Sequence, residues 1–518
     1  MNYMNAVLYS FLMLTMSLSA ASYSLTPDAD LTTLNDEVEQ RNVNPKSSLL
    51  NSPGFQEASI YTNTTLSSGG AHTCAILDDE TSSCWGKGSS GQLGTGGLSD
   101  RTTPTTTNGF GGGRKAISIS SGGEHTCAIL DTGEVSCWGM GVYGQLGNGA
   151  TTDRTSPFLT SSLGTGRSAV AISSGVLHTC AILDDGNVSC WGANNNGQLG
   201  DGTESTHTTP NSISNINNPN GQKTVAISSG GTHTCALLDD GSVLCWGKWY
   251  GSTPNSAMTS TFESGQEVVA IASGRMHICF LLMNGNVSCT GEGSLGQLGN
   301  GYLSDNYFSQ PVPTLGFGQG RSAIALSAGQ DHTCALLDNG SVSCWGNNDY
   351  GQVGNGTTST YAPTPSLTNS FGNGRSAIAI SSGGYHTCAI LDDDDVVCWG
   401  KGGDGQLGNG ATSDRTTPTK IPALGEEKNI SLSERDLDGD GVLNIFEGII
   451  CTPGNYLLGD FCTDADPGYF VSGSGAESQQ PCPVGTFQNL SGQTTCRVAT
   501  TGHFVNSSLG EGQGNQTP

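Results

Sequence analysis

Two short apolar runs flanking a polar turn recur along the chain, and in Gly230 to Gly247 the turn is Asp239-Asp240-Gly241. Its Gly suits the left-handed position of a bulged hairpin, so the segment predicts two antiparallel strands. Folding about Asp240 places Cys235 opposite Cys245, and facing residues of such a pair lie about 4.5 to 5.5 Å apart at Cα, within disulfide reach. The same unit pairs Cys74 with Cys84, Cys127 with Cys137, Cys180 with Cys190, Cys279 with Cys289, Cys334 with Cys344 and Cys388 with Cys398. Two further strand patterns accompany each hairpin, as in Thr155-Ser156-Pro157-Phe158-Leu159 and Ala169-Val170-Ala171-Ile172. Four strands per repeat make a propeller blade, and the first cysteines are spaced by 53, 53, 55, 44, 55 and 54 residues. The expected fold is therefore all-β, a seven-bladed β-propeller over residues 58–424 followed by a small disulfide-rich C-terminal region. The first unit lacks the Pro-led strand, so Thr417-Pro418-Thr419-Lys420-Ile421 is expected to complete the first blade and hide a sheet edge.

Composition agrees: of 518 residues 35% are hydrophobic and 77 are Gly, which favours short strands and turns. A formal charge of −26 opposes contact with nucleic acid or anionic lipid, where clustered Lys and Arg are needed. Residues 1–21 have an apolar core from Ala6 to Leu18 and end in Ser19-Ala20-Ala21, the pattern of a signal peptide, although no Lys or Arg precedes the core. Residues 22–57 are polar and aperiodic, a flexible leader. No later apolar run reaches about 20 residues, so no membrane span is expected after the signal peptide. Export and regularly paired cysteines together predict an oxidised protein, secreted or at the cell surface.

The order of apolar strand, Ser-Gly-Gly, His, hairpin, Trp-Gly and Gly-Gln-Leu-Gly resembles the repeat of the regulator of chromosome condensation family. The tetrapeptide stands at Gly91, Gly144, Gly197, Gly296 and Gly405, and as Gly351-Gln352-Val353-Gly354. That resemblance implies a seven-bladed propeller. The superfamily also includes a secreted β-lactamase inhibitory propeller, and cysteine-paired versions resemble the ectodomains of Crinkly-type receptor kinases. Units four and five depart from the pattern: Lys248-Trp249-Tyr250-Gly251 replaces the tetrapeptide, Thr290 replaces Trp, and Arg275-Met276-His277-Ile278-Cys279-Phe280 replaces the usual lead-in. Either the blade has degenerated, or Trp249 and Tyr250 are aromatic anchors of a contact face.

Seven histidines, His72, His125, His178, His233, His277, His332 and His386, each stand two residues before a hairpin cysteine. Spread around a ring they cannot share one metal ion, so each is expected to bond nearby backbone within its own blade. The Trp after the second cysteine is expected to pack between blades. No Ser-His-Asp spacing, phosphate loop or carboxylate pair stands apart from the repeat, so no catalysis is expected.

Beyond the propeller, residues 425–449 hold Asp436-Leu437-Asp438-Gly439-Asp440-Gly441-Val442-Leu443-Asn444-Ile445-Phe446-Glu447, which matches the twelve-position calcium loop. Asp436, Asp438, Asp440, the Val442 carbonyl, Asn444 and Glu447 would ligate a structural Ca2+ that stiffens the join. Residues 450–518 contain Cys451, Cys462, Cys482 and Cys496 in two phrases that resemble ephrin-receptor-like cysteine-rich modules. Pairing of Cys451 with Cys462 and of Cys482 with Cys496 is the expectation among three connectivities. The second phrase stops where a further cysteine is due, so the chain reads as a fragment. Asn187, Asn286 and Asn339 stand in Asn-x-Ser/Thr triplets, which permit glycosylation.

The functional expectation is an extracellular binding or adhesion module whose partner is a protein or glycan, with no nucleic-acid partner. An enzyme-inhibitor-like propeller is the second reading. Guanine-nucleotide exchange is the third, by family analogy alone.

Overall fold

The computed structural model describes residues 64–213, 222–248, 256–260, 266–305, 311–318, 320–372, 374–422 and 424, and short strands between 455 and 498. Strands β1 (Leu66–Ser68), β2 (His72–Ile76), β3 (Ser82–Gly86) and β4 (Arg101–Thr106) form one antiparallel sheet in that order. The same order recurs at 116–159, 169–212, 224–260, 268–313, 323–367 and 377–420, giving seven blades. The second and third strands of a blade are buried on both faces because the neighbouring blades cover them. The outer strand alternates between exposed and half-buried residues and carries Pro104, which has no N–H to offer a foreign strand.

The Pro-led strand therefore belongs to the blade before it, contrary to the parsing above. Leu159 pairs with Ser136 and Phe158 with Cys137, so 154–159 closes the second blade. Likewise Arg415–Lys420 pairs with the third strand of the seventh blade and does not complete the first. The cause is the compact turn between third and outer strands. In blade one the Gly88 N–H donates to Asp100 Oδ1 at 2.8 Å, which reverses the chain beside the strand it has just left. Every blade is thus one continuous stretch of chain. The ring closes through lateral bonds: Gly384 N–H to Gly69 O at 2.9 Å and Ser68 N–H to Ser381 Oγ at 2.8 Å. Between blades one and two the equivalent bond, Ser121 N–H to Ser67 Oγ, is also 2.8 Å.

Each hairpin holds a disulfide between facing residues of its second and third strands, with Cα atoms 4.1 Å apart at Cys74–Cys84 and 4.0 Å at Cys235–Cys245. The same pairing joins Cys127–Cys137, Cys180–Cys190, Cys279–Cys289, Cys334–Cys344 and Cys388–Cys398. Each bridge closes a short loop and contributes about 2–3 kcal/mol by restricting the unfolded chain. The four C-terminal cysteines and the calcium loop lie outside the residues whose side chains are described. Three short hairpins stand in that region, at Asn455–Leu458 with Phe461–Asp464, Tyr469–Phe470 with Gln480–Pro481, and Thr486–Phe487 with Arg497–Val498.

All fourteen hairpin cysteines are fully buried, at 0% exposure. Thiol–disulfide exchange needs access to sulfur, so dithiothreitol is expected to leave the seven bridges intact in native buffer and to reduce them once denaturant opens the blades. Thiol counting by mass spectrometry measures this, and fast reduction of the native protein would contradict it.

Candidate functional site

The loops between first and second strands converge on the mouth of a central channel, lined by Ser68, Gly69, Gly122, Gly175, Gly230 and Gly383 among others. The first glycine of each loop has no room for a side chain. A Cβ on Gly69 would lie 2.4 Å from His72 Cε1 and 2.6 Å from the Gly122 carbonyl oxygen. The histidine ring and the next blade fill that space.

Six of the seven histidines are each one end of a latch that crosses to the next blade. His72 Nε2 lies 2.9 Å from Thr126 Oγ1, and that hydroxyl donates to the Gln92 carbonyl at 3.0 Å. Trp138 Nε1–H donates to the same carbonyl at 2.9 Å. The hydroxyl has a single proton, already given to Gln92, so His72 must be the Nε2–H tautomer. The same set runs through His125, Thr179, Gln145 and Trp191, and closes the ring through His386, Thr73, Gln406 and Trp85. Six of the seven inter-blade seams carry it. The expectation that each imidazole bonds backbone within its own blade is therefore corrected: the partner is a side chain of the neighbour. The Trp rings do pack between blades, Trp85, Trp138, Trp191, Trp345 and Trp399 at 0% exposure. Burial lowers the pKa of His72 to about 4 and of the other six to about 3. In the six latched rings Nδ1 meets no acceptor among the described residues, so a second ring proton would have nowhere to bond.

The seventh seam, between blades four and five, is built differently. Blade four has no Gln there, and blade five has Ile278 where the others have the latch Thr and Thr290 where they have Trp. Six inter-blade cores contain a Trp and the Leu or Val of the tetrapeptide, for example Trp138 with Leu93 and Trp399 with Val353. The seventh instead gathers Leu237, Val243, Val268, Ile278, Phe280 and Leu282. Phe280 stands where the other hairpins have Ala, supplying volume that the missing indole would have filled.

Above the latches, at the channel mouth, the repeat stops dictating side chains. The residue before each latch histidine is in turn Ala71, Glu124, Leu177, Thr232, Met276, Asp331 and Tyr385. Its carbonyl accepts the N–H of an equally variable residue after Trp-Gly, as in Lys401 N–H to Tyr385 O at 2.8 Å. On blades five to seven these positions form a cluster. Arg275 pairs with Glu292 at 2.9 Å and, across a seam, with Asp331 at 3.1 Å. Tyr350 meets Tyr385 edge to face at 5.5 Å, and Lys401 Nζ sits 5.4 Å and 5.8 Å from their ring centres. Burial raises the Tyr385 pKa, and nearby Asp331 adds to it. On blades one and two Lys87 pairs with Glu124 at 2.6 Å, and Ser90 Oγ donates to the same carboxylate at 2.8 Å. Those bonds hold the Lys87 pKa above its ordinary value. They also hold the Glu124 pKa below its own, against the opposing effect of burial. Trp249 and Tyr250 lie outside the described residues. Sequence reading missed Tyr350, Tyr385, Lys401 and Asp331; their signature was variation at fixed offsets within an otherwise uniform repeat.

Residues 161–435 match the family model of the RCC1-like domain. Residues 64–92, 116–145, 84–129 and 132–182 match the regulator of chromosome condensation (RCC1) repeat. The ultraviolet-B receptor UVR8 of Arabidopsis thaliana is 32% identical over 370 residues, covering 69% of this chain and 81% of that protein. The Homo sapiens E3 ubiquitin-protein ligase HERC2 is 29% identical over 325 residues, 62% of this chain but 6% of that protein. Among solved structures, Prp20p from Saccharomyces cerevisiae superposes with a TM-score of 0.59 at 22% identity, covering 72% of this chain and 90% of that one, a likeness of fold.

The buried histidines make stability depend on pH. Their folded pKa values, about 3 to 4, lie below the unfolded value near 6.5, so the unfolded chain binds more protons on acidification. Stability is full above about pH 6.5 and is lost as pH falls toward the folded values, at up to about 1.4 kcal/mol per ring per pH unit. Tryptophan fluorescence during acid titration is expected to show cooperative unfolding well above pH 3; a fold unchanged down to pH 4 would refute this. The latch itself is tested by Thr179→Val, expected to lower stability in urea by about 1–3 kcal/mol. Ile278→Thr is expected to destabilise as well, since it would put a hydroxyl among Leu237, Val243, Val268 and Phe280.

Proposed function

The chain belongs to the RCC1-like domain family, and from that premise we propose that it is a non-catalytic extracellular or cell-surface propeller that binds a protein ligand on its channel-mouth face. The observation that carries the reading is the contrast between the two levels of the ring. Below, His, Thr, Gln, Trp and Cys recur blade after blade; at the mouth, equivalent positions differ and present half-buried Tyr350, Tyr385 and Lys401 beside exposed Arg275, the types that supply interface anchors. Arg275 is 43% exposed although doubly paired, so its guanidinium edge is open to a partner. Among the relatives, UVR8 is by name a receptor, and the Prp20p structure was described together with binding to Gsp1p and histones. The extracellular part of the reading is supported by seven intrachain disulfides and by the leader pattern of residues 1–21. The calcium loop, with Asp436, Asp438, Asp440, Val442, Asn444 and Glu447 as oxygen donors, belongs to the same reading as a structural site.

The exported chain is to be screened against an array of cell-surface and secreted ectodomains, and its best ligand titrated against Tyr385→Ala and Lys401→Ala. Each substitution is expected to weaken binding about tenfold or more while leaving the melting temperature within a few degrees. Unchanged affinity in both variants would move the site off this face, and turnover of a substrate would overturn the non-catalytic reading. For the calcium loop, Glu447→Gln is expected to abolish the calcium heat in isothermal titration without shifting the propeller's melting transition.

A further inference from the structure

We infer that the face opposite the channel mouth is the glycosylated face, with N-linked glycans on Asn187, Asn286 and Asn339. The inference rests on the extracellular reading above. A second strand begins beside its mouth loop, as His178 does, and runs away from it to a hairpin tip, so all seven tips ring the far end of the propeller. Asn187 and Asn286 are the first residues after the turns of blades three and five, where their carbonyls accept Leu183 N–H and Leu282 N–H. Asn339 lies within the turn of blade six, two residues earlier in the hairpin. All three are exposed, and each is followed at the second position by Ser: Ser189, Ser288 and Ser341.

The side-chain chemistry leaves room for the modification. Asn187 Nδ2 donates one hydrogen to Asp185 Oδ2 at 2.8 Å, and a carboxamide nitrogen has two, so a glycan replaces one and spares the bond. Asn339 Oδ1 accepts the hydroxyl of its own triplet, Ser341, at 2.6 Å. A fourth triplet, Asn355-Gly356-Thr357, differs: Asn355 is half-buried and its Nδ2 donates to Ser366 Oγ of the outer strand at 3.1 Å. Asn355 stands in the third-to-outer-strand loop that also carries Tyr350, at the mouth end, whereas the loops between first and second strands carry no such triplet. With Asn355 held by its bond to Ser366, the remaining described triplets put sugar on the far face.

The donor is a lipid-phosphate-linked oligosaccharide of the secretory route. Transfer forms a bond from Asn Nδ2 to the anomeric carbon and breaks that carbon's bond to the phosphate oxygen. The electron pair stays with the lipid phosphate, the amide proton goes to base, and nothing is oxidised or reduced.

The test uses the full chain behind a heterologous export leader in cultured animal cells, with glycopeptide mapping after endoglycosidase treatment. Occupancy of Asn187, Asn286 and Asn339 in most molecules, with Asn355 empty, is the expected result. Empty tips in correctly oxidised, exported protein, or Asn355 occupied as fully as the tips, would overturn the assignment. Asn→Gln changes at the three tips are expected to remove those glycopeptides and leave melting unchanged, which excludes misfolding as the cause of the loss. A parallel arm with the chain's own residues 1–21 as leader tests export separately: failure there counts against the extracellular reading while the forced-export arm still reads the tips.

Discussion

One main-chain carbonyl oxygen in each of six blades governs how this ring is assembled. The Gln carbonyl of the Gly-Gln-Leu-Gly turn takes two donors from the next blade, the Trp indole and the Thr hydroxyl, and the hydroxyl in turn accepts the His ring of the blade that owns the Gln. Buried polar groups of this kind are worth having only when every partner is present, because each one orphaned brings its full desolvation penalty. The network therefore ties His, Thr and Trp side chains to one main-chain carbonyl across two blades. It also explains the glycine before each His, whose absent side chain gives the ring its place. Hydrophobic packing follows the same line, since the Leu of that turn enters the core whose other large member is the Trp.

The hairpins, their cysteine pairs and the count of blades were legible from the chain because they depend on contacts ten residues apart, where antiparallel geometry leaves little freedom. The phase of the repeat was not. A Pro-led strand lying between two hairpins pairs equally well on paper with either, and the choice rests on the turn from Gly88 to Asp100, whose capping bond has no simple signature. The role of the histidines was misread for a related reason. Periodicity shows that a residue is structural, but whether it reaches inward or across a seam depends on the lateral spacing of blades. The correct partner was nonetheless visible as a correlation: Thr follows His in six units, and Ile278 follows it in the blade after the one lacking Gln.

Separating stability from recognition is what a repeated latch makes possible. Because the latch bonds lie beneath the mouth loops, what the repeat requires of Tyr385, Asp331 and Met276 is the backbone carbonyl, and their side-chain contacts are particular to each blade. Substitution there alters the surface and leaves the seams alone. A net charge of −26, with 19 Lys and Arg in the chain, makes Arg275 and Lys401 conspicuous on this face, each held in place by acidic or aromatic neighbours from an adjacent blade. Binding determinants that span seams read the ring as a whole, since they are assembled only when consecutive blades are in register.

The seam between blades four and five keeps the buried His233 but dispenses with the Gln turn, the Thr and the Trp together. Displacing the turn that carries the accepting main-chain carbonyl would strand an indole N–H and a hydroxyl in a dry interface; loss of Trp alone would leave a cavity. Here Gln, Trp and Thr are absent together, and Ile278 and Phe280 occupy the space with groups that need no partner. Decay by independent substitutions would have passed through arrangements with stranded polar groups or voids, so the concerted pattern is that of a second, apolar solution to the same packing problem. It relaxes the demand for a Gly-Gln-Leu-Gly turn at that point, which frees the segment after Gly247 to take a different length and composition from its six counterparts. Units four and five depart from the repeat for one reason, and the departure is located at a seam instead of within a blade.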